Sequence, residues 1–162
     1  MDGIDFDVAV FTNLTQDHLD FHGTLDEYGK TKRRLFELLA ASPKPKRTAV
    51  VNADDPWGEA MVRGLDVPVL TFGLGASALV RAVAHASSLD GIRMTIETPR
   101  GRFDLASPLI GEHNVMNLLA AAATGLGLGL DPGAMAPALD VVGAVPGRFE
   151  QVRAGQPFLV IV

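Results

Sequence analysis

The chain has 162 residues, of which 48% are hydrophobic, and its formal net charge is −5. This length suits one domain with a substantial core, and the acidic balance argues against a nucleic-acid surface and favours small-molecule or protein partners. The sequence contains no cysteine, which excludes disulfide scaffolds and thiolate chemistry. It shows no signal-peptide pattern and no apolar run long enough for a bilayer, so we expect a cytoplasmic protein without a membrane partner.

The first half of the chain alternates between strand and helix patterns. The apolar run at residues 6–12 predicts a buried parallel strand, and the polar residues 13–23 predict a loop at its carboxyl end. Residues 24–27 (Thr-Leu-Asp-Glu) fit a capping box, which predicts a helix that runs to about Ala41. A strand at 48–52, a helix at about 54–64 and a strand at 67–72 complete the pattern. Such alternation indicates an α/β fold with a mostly parallel sheet flanked by helices.

The second half of the chain begins with a different period. Residues 80–86, 92–97 and 102–105 alternate in steps of two and are separated by turn signals, which predicts a small antiparallel β-meander. We expect two helices to follow, at about 112–128 and 132–139, and then two closing strands at 149–152 and 158–162. We assign no second domain.

Lys32 lies on a helix face that is otherwise apolar, whereas Lys30 falls on the opposite side. A buried ammonium is costly unless it is paired, neutralised or chemically altered, so this position is the first place to look for chemistry. Alternatively, the stem packs in the core and the ammonium reaches solvent or pairs with Asp17 or Asp20. The residues that share the face with Lys32 are Leu25, Tyr28, Leu35, Phe36 and Leu39.

The loop before this helix is rich in potential metal ligands. Residues 17–22 (Asp-His-Leu-Asp-Phe-His) supply two carboxylates and two imidazoles, which suggests a cation site around His18. A lysine held uncharged near a cation can take up carbon dioxide as a carbamate, and Lys32 would then be an anionic oxygen ligand. The alternative is a polar loop whose aspartates cap turns and whose histidines are exposed.

Three further segments place polar residues where ligands commonly bind. Asn114 and Asn117 lie three residues apart at the start of a predicted helix, so their amides either face an adenine edge or cap the helix. Residues 52–56 follow a strand and either contact a ligand or cap the next helix. Arg148 lies beside a strand, where it either clamps a phosphate or pairs with Glu150.

Four segments resemble, in order and spacing, the central ATP-binding domain of the Mur ligases of peptidoglycan synthesis. They are FTNLTQDHLDFHGTLDEYGKTK at 11–32, VVNADDP at 50–56, GEHNVMNLLAAA at 111–122 and VPGRFE at 145–150. Within that family, TNLTQDHLDFHG is most similar to the ligases that add the third residue of the stem peptide. The resemblance runs from Asp5 to the end of the chain and implies a partial Mur-ligase central domain.

The resemblance implies an ATP-dependent amide ligase. In the family, ATP forms an acyl phosphate on the carboxylate of a nucleotide-linked peptide, the incoming amino acid attacks it, and magnesium neutralises the phosphate charge. By the same resemblance, His18 matches a magnesium ligand and Lys32 matches the carbamylated lysine, and these two residues form the implied catalytic and metal site. The implied cofactor-binding residues are Asn114 and Asn117 near the adenine, Arg148 near the nucleotide, and His113, Asn52 and Asp55. His22 matches a further motif position.

The resemblance also implies parts that residues 1–162 do not contain. The glycine-rich phosphate loop, the glutamate that shares the magnesium, the uridine-binding domain and the C-terminal domain have no counterpart in the sequence, which stops within the apolar run 158–162. We therefore expect an incomplete central domain without ligase activity of its own. The complete enzyme is expected to be a monomer that joins UDP-N-acetylmuramoyl-dipeptide to an amino acid, either diaminopimelate or lysine.

Two alternative functions stay open at this point. A folylpolyglutamate synthase-like ligase shares the fold and the carbamate, although the segments DHLDFHG and GRFE point away from it. A non-catalytic nucleotide-binding module agrees with the missing phosphate loop. Substrate tests and calorimetry with nucleotide distinguish these functions from the first prediction.

Overall fold

The computed structural model describes residues 3–15, 24–143, 145–146, 149–152 and 154–162. In this part of the chain, none of the helices has the length and apolar composition that a membrane span needs. In chain order the elements are β1 (Val8–Phe11), α1 (Leu25–Ala41), β2 (Thr48–Asn52), α2 (Gly58–Val62), β3 (Val69–Gly73), β4 (Val80–Ser88), β5 (Gly91–Thr98), β6 (Gly101–Ser107), α3 (Glu112–Gly127), α4 (Pro132–Asp140), β7 (Gln151–Val152) and β8 (Val160–Ile161).

Strands β1 to β6 form one sheet in the order of the sequence. Strands β1 to β4 run parallel, and β5 and β6 continue the sheet in antiparallel fashion. The predicted meander is therefore an extension of the parallel sheet, joined to it where Phe72 and Gly73 lie opposite Val80 and Arg81. Among the described residues, β7 and β8 pair with each other and form a separate two-stranded sheet.

Helix α1 confirms the sequence prediction at both ends. Thr24 is the N-cap, and its Oγ1 accepts a hydrogen bond of 3.3 Å from the backbone N–H of Glu27. This bond satisfies one of the N–H groups that the first turn of a helix leaves free. The helix ends at Ala41, and Ser42 is extended with ψ of 135°, the conformation that the following Pro43 favours.

The parallel part of the sheet is buried on both faces, which explains why β2 is a continuous apolar run. Val50 lies in a core that includes residues of α3 and the meander, such as Leu119 and Ile96. Ala49 and Val51 lie in a second core, which α1 and α2 cover. The residues that α1 and α2 bury in this second core include Phe36, Leu39 and Met61.

Several predicted elements are shorter in the structure, among them the first strand, which is Val8–Phe11 rather than 6–12. Helix α2 is Gly58–Val62 rather than 54–64, because Oδ1 of Asp55 accepts the backbone N–H of Trp57 at 2.8 Å and holds a turn ahead of the helix. The closing strands at 149–152 and 158–162 are reduced to two residues each. The positions of these elements along the chain agree with the prediction, and their lengths do not.

Strand β4 contains a bulge that shifts its alternation. Ala82 lies opposite Ile96 but Ala84 lies opposite Thr95, so Val83 is an extra residue in the pairing. Beyond the bulge, His85 rather than Ala84 lies opposite the buried Met94. The predicted steps of two through residues 80–86 are therefore wrong beyond Val83.

Candidate active site

The carboxyl ends of β1 and β2 are joined by the side chain of Asn52. This side chain is buried, its Nδ2 donates to the carbonyl oxygen of Thr12 at 2.7 Å, and its Oδ1 accepts the backbone N–H of Asp54 at 2.9 Å. A buried amide is costly unless both its donor and its acceptor are paired. Asn52 therefore fixes the point at which the chain leaves β1.

Asp55 makes a second connection to the same loop. Its Oδ2 accepts the backbone N–H of Leu14 at 3.0 Å, while its Oδ1 accepts the backbone N–H of Trp57 at 2.8 Å. Leu14 is itself buried. The residues after β1 are thus held by two side chains that follow β2. Asn52 and Asp55 were predicted to bind cofactor; the structure gives them partners within the chain, and nucleotide contact stays a prediction.

Lys32 extends from α1 to the residue between these two attachment points. Its Nζ donates to the carbonyl oxygen of Asn13 at 2.9 Å and lies 4.8 Å from the ring centroid of Tyr28 and 5.8 Å from that of Phe11. The side chain is half-buried, whereas Lys30 is exposed. The predicted contrast between the two lysines is confirmed, although Lys32 is only partly enclosed.

A cleft of about 310 Å³ lies beside Lys32, between β1 and α1. It is placed at the carboxyl end of β1, where ligands commonly bind in parallel α/β sheets. Its walls combine apolar side chains with the ammonium and two hydroxyl groups. The lining residues are Val10, Phe11, Thr12, Thr31, Lys32, Leu35 and Phe36.

Several predicted site residues lie outside the described part of the chain: Asp17, His18, Asp20, His22 and Arg148. Of the two predicted metal ligands, the structure therefore describes only Lys32. Within the described ranges, no three His, Asp or Glu side chains come together as a group that could hold a metal ion. As an ammonium, Lys32 donates hydrogen bonds and has no lone pair for a metal.

The asparagines of α3 form a small network at the start of that helix. Nδ2 of Asn114 donates to the carbonyl oxygen of Ile110 at 2.8 Å, and Nδ2 of Asn117 donates to Oδ1 of Asn114 at 3.0 Å. Neither residue caps the helix, because the N-cap is Gly111 and no side chain bonds there. The capping alternative is therefore wrong. The ring of His113 packs edge-on against Phe149, with centroids 4.8 Å apart.

Asp54 is a loop-fixing residue to which the sequence analysis assigned no separate role. Its Oδ2 accepts the backbone N–H of Leu74 at 2.6 Å and its Oδ1 accepts that of Gly75 at 3.1 Å. A Cβ at Gly73 or Gly75 would lie 2.6 or 2.7 Å from the carboxylate oxygens of Asp54, so these glycines allow its close approach. Residues 52–55 thus fix the loops after both β1 and β3. The sequence feature that could have identified Asp54 is its position, two residues beyond the end of a predicted strand.

Comparison with known proteins decides the family. The model of the Mur ligase middle domain matches residues 1–125. The chain belongs to this family. It is 46% identical over 164 residues to UDP-N-acetylmuramoyl-L-alanyl-D-glutamate–2,6-diaminopimelate ligase of Geobacter metallireducens, with 100% of this chain and 32% of the relative covered. It is 45% identical over 168 residues to a UDP-N-acetylmuramyl-tripeptide synthetase of Roseiflexus sp., with 99% and 33% covered. The chain therefore spans about a third of the length of these curated relatives.

Solved structures of Mur ligases have the same fold. MurF from Acinetobacter baumannii superposes with a TM-score of 0.83 at 25% identity. The match covers 96% of this chain and 33% of that MurF chain. The structure of a UDP-N-acetylmuramoyl-L-alanyl-D-glutamate–2,6-diaminopimelate ligase superposes with a TM-score of 0.82 at 32% identity. The match covers 93% of this chain and 31% of that ligase. MurF from Thermotoga maritima, solved in complex with ADP, superposes with a TM-score of 0.67 at 23% identity, and the match covers 93% of this chain and 34% of that MurF. At this identity the similarity supports the fold alone.

Proposed function

We propose that this chain is part of an ATP-dependent ligase that adds the third stem-peptide residue to UDP-N-acetylmuramoyl-L-alanyl-D-glutamate. The observation that carries the proposal is the 46% identity, along the whole chain, to a ligase named for that substrate. Because the chain spans about a third of that relative, we assign the activity to a longer protein and expect none from residues 1–162 alone. We place that protein in the cytoplasm as a monomer that binds neither membrane nor nucleic acid.

The proposed reaction has two steps. The substrate carboxylate attacks the γ-phosphorus of ATP, which gives an acyl phosphate and ADP; the amine of the amino acid then attacks the acyl carbon, and inorganic phosphate leaves with formation of an amide. Magnesium would be held by His18 and Lys32 and would neutralise charge on the phosphates. Asn52, Lys32 and Asp55 would serve both steps by holding residues 12–14 at the carboxyl end of β1.

The surroundings of Lys32 test whether a carbamate fits. Addition of carbon dioxide to the neutral amine, with loss of one proton, leaves one N–H on Nζ, so the hydrogen bond to Asn13 can survive. The rings of Tyr28 and Phe11 act in the opposite direction, because aromatic faces attract a cation and repel an anion. The residues therefore fit a carbamate when a cation compensates its charge, and we expect carbamate formation to depend on magnesium.

For the nucleotide we propose the start of α3 together with Arg148. The amides of Asn114 and Asn117 lie side by side, and Asn117 is exposed, which supports a contact with an adenine edge. His113 adjoins them on the same turn. Asn52 and Asp55 would act on the nucleotide through the loop whose backbone they bind.

The proposal is tested in a chimera in which residues 1–162 replace the matching third of the Geobacter metallireducens ligase. We expect magnesium-dependent ADP release that requires both UDP-N-acetylmuramoyl-L-alanyl-D-glutamate and an amino acid, with diaminopimelate and lysine tested separately. ADP release with folate and glutamate instead would favour the folylpolyglutamate synthase alternative. Nucleotide binding without turnover would favour a non-catalytic module. Either result would overturn the proposal.

The role of Lys32 is tested by a matched pair of substitutions in the chimera. Lys32→Ala should abolish turnover, whereas Lys30→Ala, on the exposed side of the same helix, should leave it unchanged. Formate or acetate added at millimolar concentration should restore part of the Lys32→Ala activity if an anionic oxygen ligand is what the reaction needs. Recovery with an added amine but not with a carboxylate would show that the ammonium is the working group.

A further inference from the structure

The geometry points to Trp57 and Gly29 as the pair that positions Lys32 at the carboxyl end of β1. Gly29 lies one helical turn before Lys32 in α1, and Trp57 follows Asp55 in the turn that leads into α2. The inference rests on the proposed function, since it concerns the lysine to which that function assigns the metal. It adds two positioning residues that no motif in the sequence singles out.

The contact between Gly29 and Trp57 is too close for any side chain at residue 29. An added Cβ would lie 2.6 Å from Cζ3 and 2.9 Å from Cε3 of the indole. Glycine inside a helix destabilises it relative to alanine, so its presence in the first half of α1 calls for a compensating contact. The indole, pressed on the helix backbone, supplies that contact.

Trp57 cannot easily retreat from a side chain placed at residue 29. Its backbone N–H donates to Asp55 at 2.8 Å, and the same carboxylate binds the N–H of Leu14 at 3.0 Å. Arg33, one turn beyond Gly29, donates to the carbonyl oxygens of Ala60 and Arg63 at the far end of α2. Helix α1 is thus attached to α2 at both ends of the short helix, and Lys32 lies between these attachments in sequence.

These contacts close a ring that passes through the candidate site. Residues 12–14 are bound by Asn52, Lys32 and Asp55 in turn, at 2.7, 2.9 and 3.0 Å. Asn52 and Asp55 are close in sequence to Trp57, and the indole of Trp57 contacts Gly29. Gly29 precedes Lys32 by one turn of α1. A shift of α1 away from Trp57 would carry the backbone of Lys32 away from Asn13, and we expect Nζ to move with it.

The experiment follows Lys32 directly. The four lysines of the chain are labelled by reductive methylation with ¹³C-formaldehyde, and their methyl signals are recorded by NMR on the 162-residue chain. The methyl signal of Lys32, assigned by its loss in Lys32→Arg, should be displaced by the ring current of Tyr28, whose centroid lies 4.8 Å from Nζ. Lys30, Lys44 and Lys46 are internal references.

Gly29→Ala should move the Lys32 signal toward those of the reference lysines. Trp57→Phe removes the outer ring of the indole, so the double variant Gly29→Ala/Trp57→Phe should return the signal most of the way. Gly133→Ala is the matched control, because its Cβ would meet no atom within 4 Å in α4, and it should leave the signal in place. If Gly29→Ala does not fold, Trp57→Phe alone should move the Lys32 signal by a smaller amount.

In the chimera, Gly29→Ala should lower kcat about tenfold, as expected for a misplaced catalytic group. The KM for ATP should change by less than about twofold. The double variant Gly29→Ala/Trp57→Phe should recover activity. An unmoved Lys32 signal in Gly29→Ala, or in Trp57→Phe if the former does not fold, would overturn the inference. So would a moved signal that the double variant fails to restore. An inactive parent chimera would count against the proposed function alone, since the NMR result does not depend on turnover.

Discussion

The parallel half of the sheet and the antiparallel meander use their polar side chains differently. In the parallel half, Asn52, Asp54 and Asp55 bind backbone groups of the loops after β1 and β3. In the meander, Glu97 binds the side chains of Arg81 and Arg102 across three neighbouring strands. A side chain that binds backbone fixes the path of a loop, whereas ion pairs at the surface of a sheet do not. The paths of the loops after β1 and β3, including the residue to which Lys32 donates a hydrogen bond, are therefore set in the parallel half.

The largest expected effect in this comparison comes from Gly58→Ala. A Cβ at residue 58 would lie 2.0 Å from the carbonyl oxygen of Asn52, a backbone atom that cannot rotate away. We expect a loss of about 3 kcal/mol in the free energy of unfolding. Urea unfolding followed by the fluorescence of Trp57, the sole tryptophan, and by circular dichroism measures it.

Gly133→Ala in α4 is the control for this substitution, because its Cβ would meet no neighbouring atom. It should stabilise the chain by about 0.5–1 kcal/mol through helix propensity. Equal effects of the two substitutions would show that β2 and α2 separate easily. The contact between β2 and α2 would then not hold the loops of the parallel half in place.

A smaller effect is expected when one side chain is removed from each half. Asn52→Ala removes a buried side chain and leaves the half-buried carbonyl of Thr12 and N–H of Asp54 without their partner, and should cost about 1–2 kcal/mol. Thr95→Ala removes the exposed hydrogen bond to Asp104, of 2.7 Å, and should change stability by less than about 0.5 kcal/mol. The same unfolding assay compares the two variants. A larger loss of stability in Thr95→Ala than in Asn52→Ala would contradict the expected difference between the two halves of the sheet.

The smallest effect concerns pH and the meander. Hydrogen bonds from Arg81 and then Arg102 hold the pKa of Glu97 below its ordinary value. Such a carboxylate contributes stability at pH values above its unfolded pKa, and this contribution is lost as the pH falls through the lower folded pKa. Glu97→Gln should therefore reduce stability slightly at pH 7 and have no such effect well below about pH 4.

Salt provides the check on this last prediction. Because the Glu97 side chain is partly exposed to solvent, added salt should weaken the difference between the parent and Glu97→Gln at pH 7. An undiminished difference at high salt would indicate that packing, and not charge, connects the three strands.

The sequence predicts the elements well because their periods and caps are local properties. The helix from Thr24 to Ala41 and the strand at 48–52 follow from a cap, a proline and an apolar run, and all of these act within a few residues. The contrast between Lys32 and Lys30 likewise follows from helical spacing alone. The bulge at Val83 has no comparable signal, because it depends on how β4 pairs with β5.

The partners of the site residues could not be predicted in the same way. The sequence marks Asn52 and Asp55 as polar residues at a strand end, but their hydrogen bonds reach residues about 40 positions away, in Thr12 and Leu14. A glycine inside the predicted helix indicates a close contact at residue 29, but its partner Trp57 could not be predicted, since the contact exists only once α1 and α2 pack together. Distance along the chain, rather than residue type, separates what could be predicted from what could not.

The bulge in β4 decides on which side of the sheet an imidazole is presented. Beyond Val83, His85 faces the same side as Met94, and its Nε2 lies 3.4 Å from Oε2 of Glu112, the first residue of α3. Because Val83 is the residue without a partner in β5, deleting it would leave Ala82 opposite Ile96, Ala84 opposite Thr95 and His85 opposite Met94 in a regular ladder. If instead the present sequence continued the pairing of Arg81 and Ala82 without a bulge, Ala84 would lie opposite Met94, and His85 would turn away from the helix that carries Asn114 and Asn117.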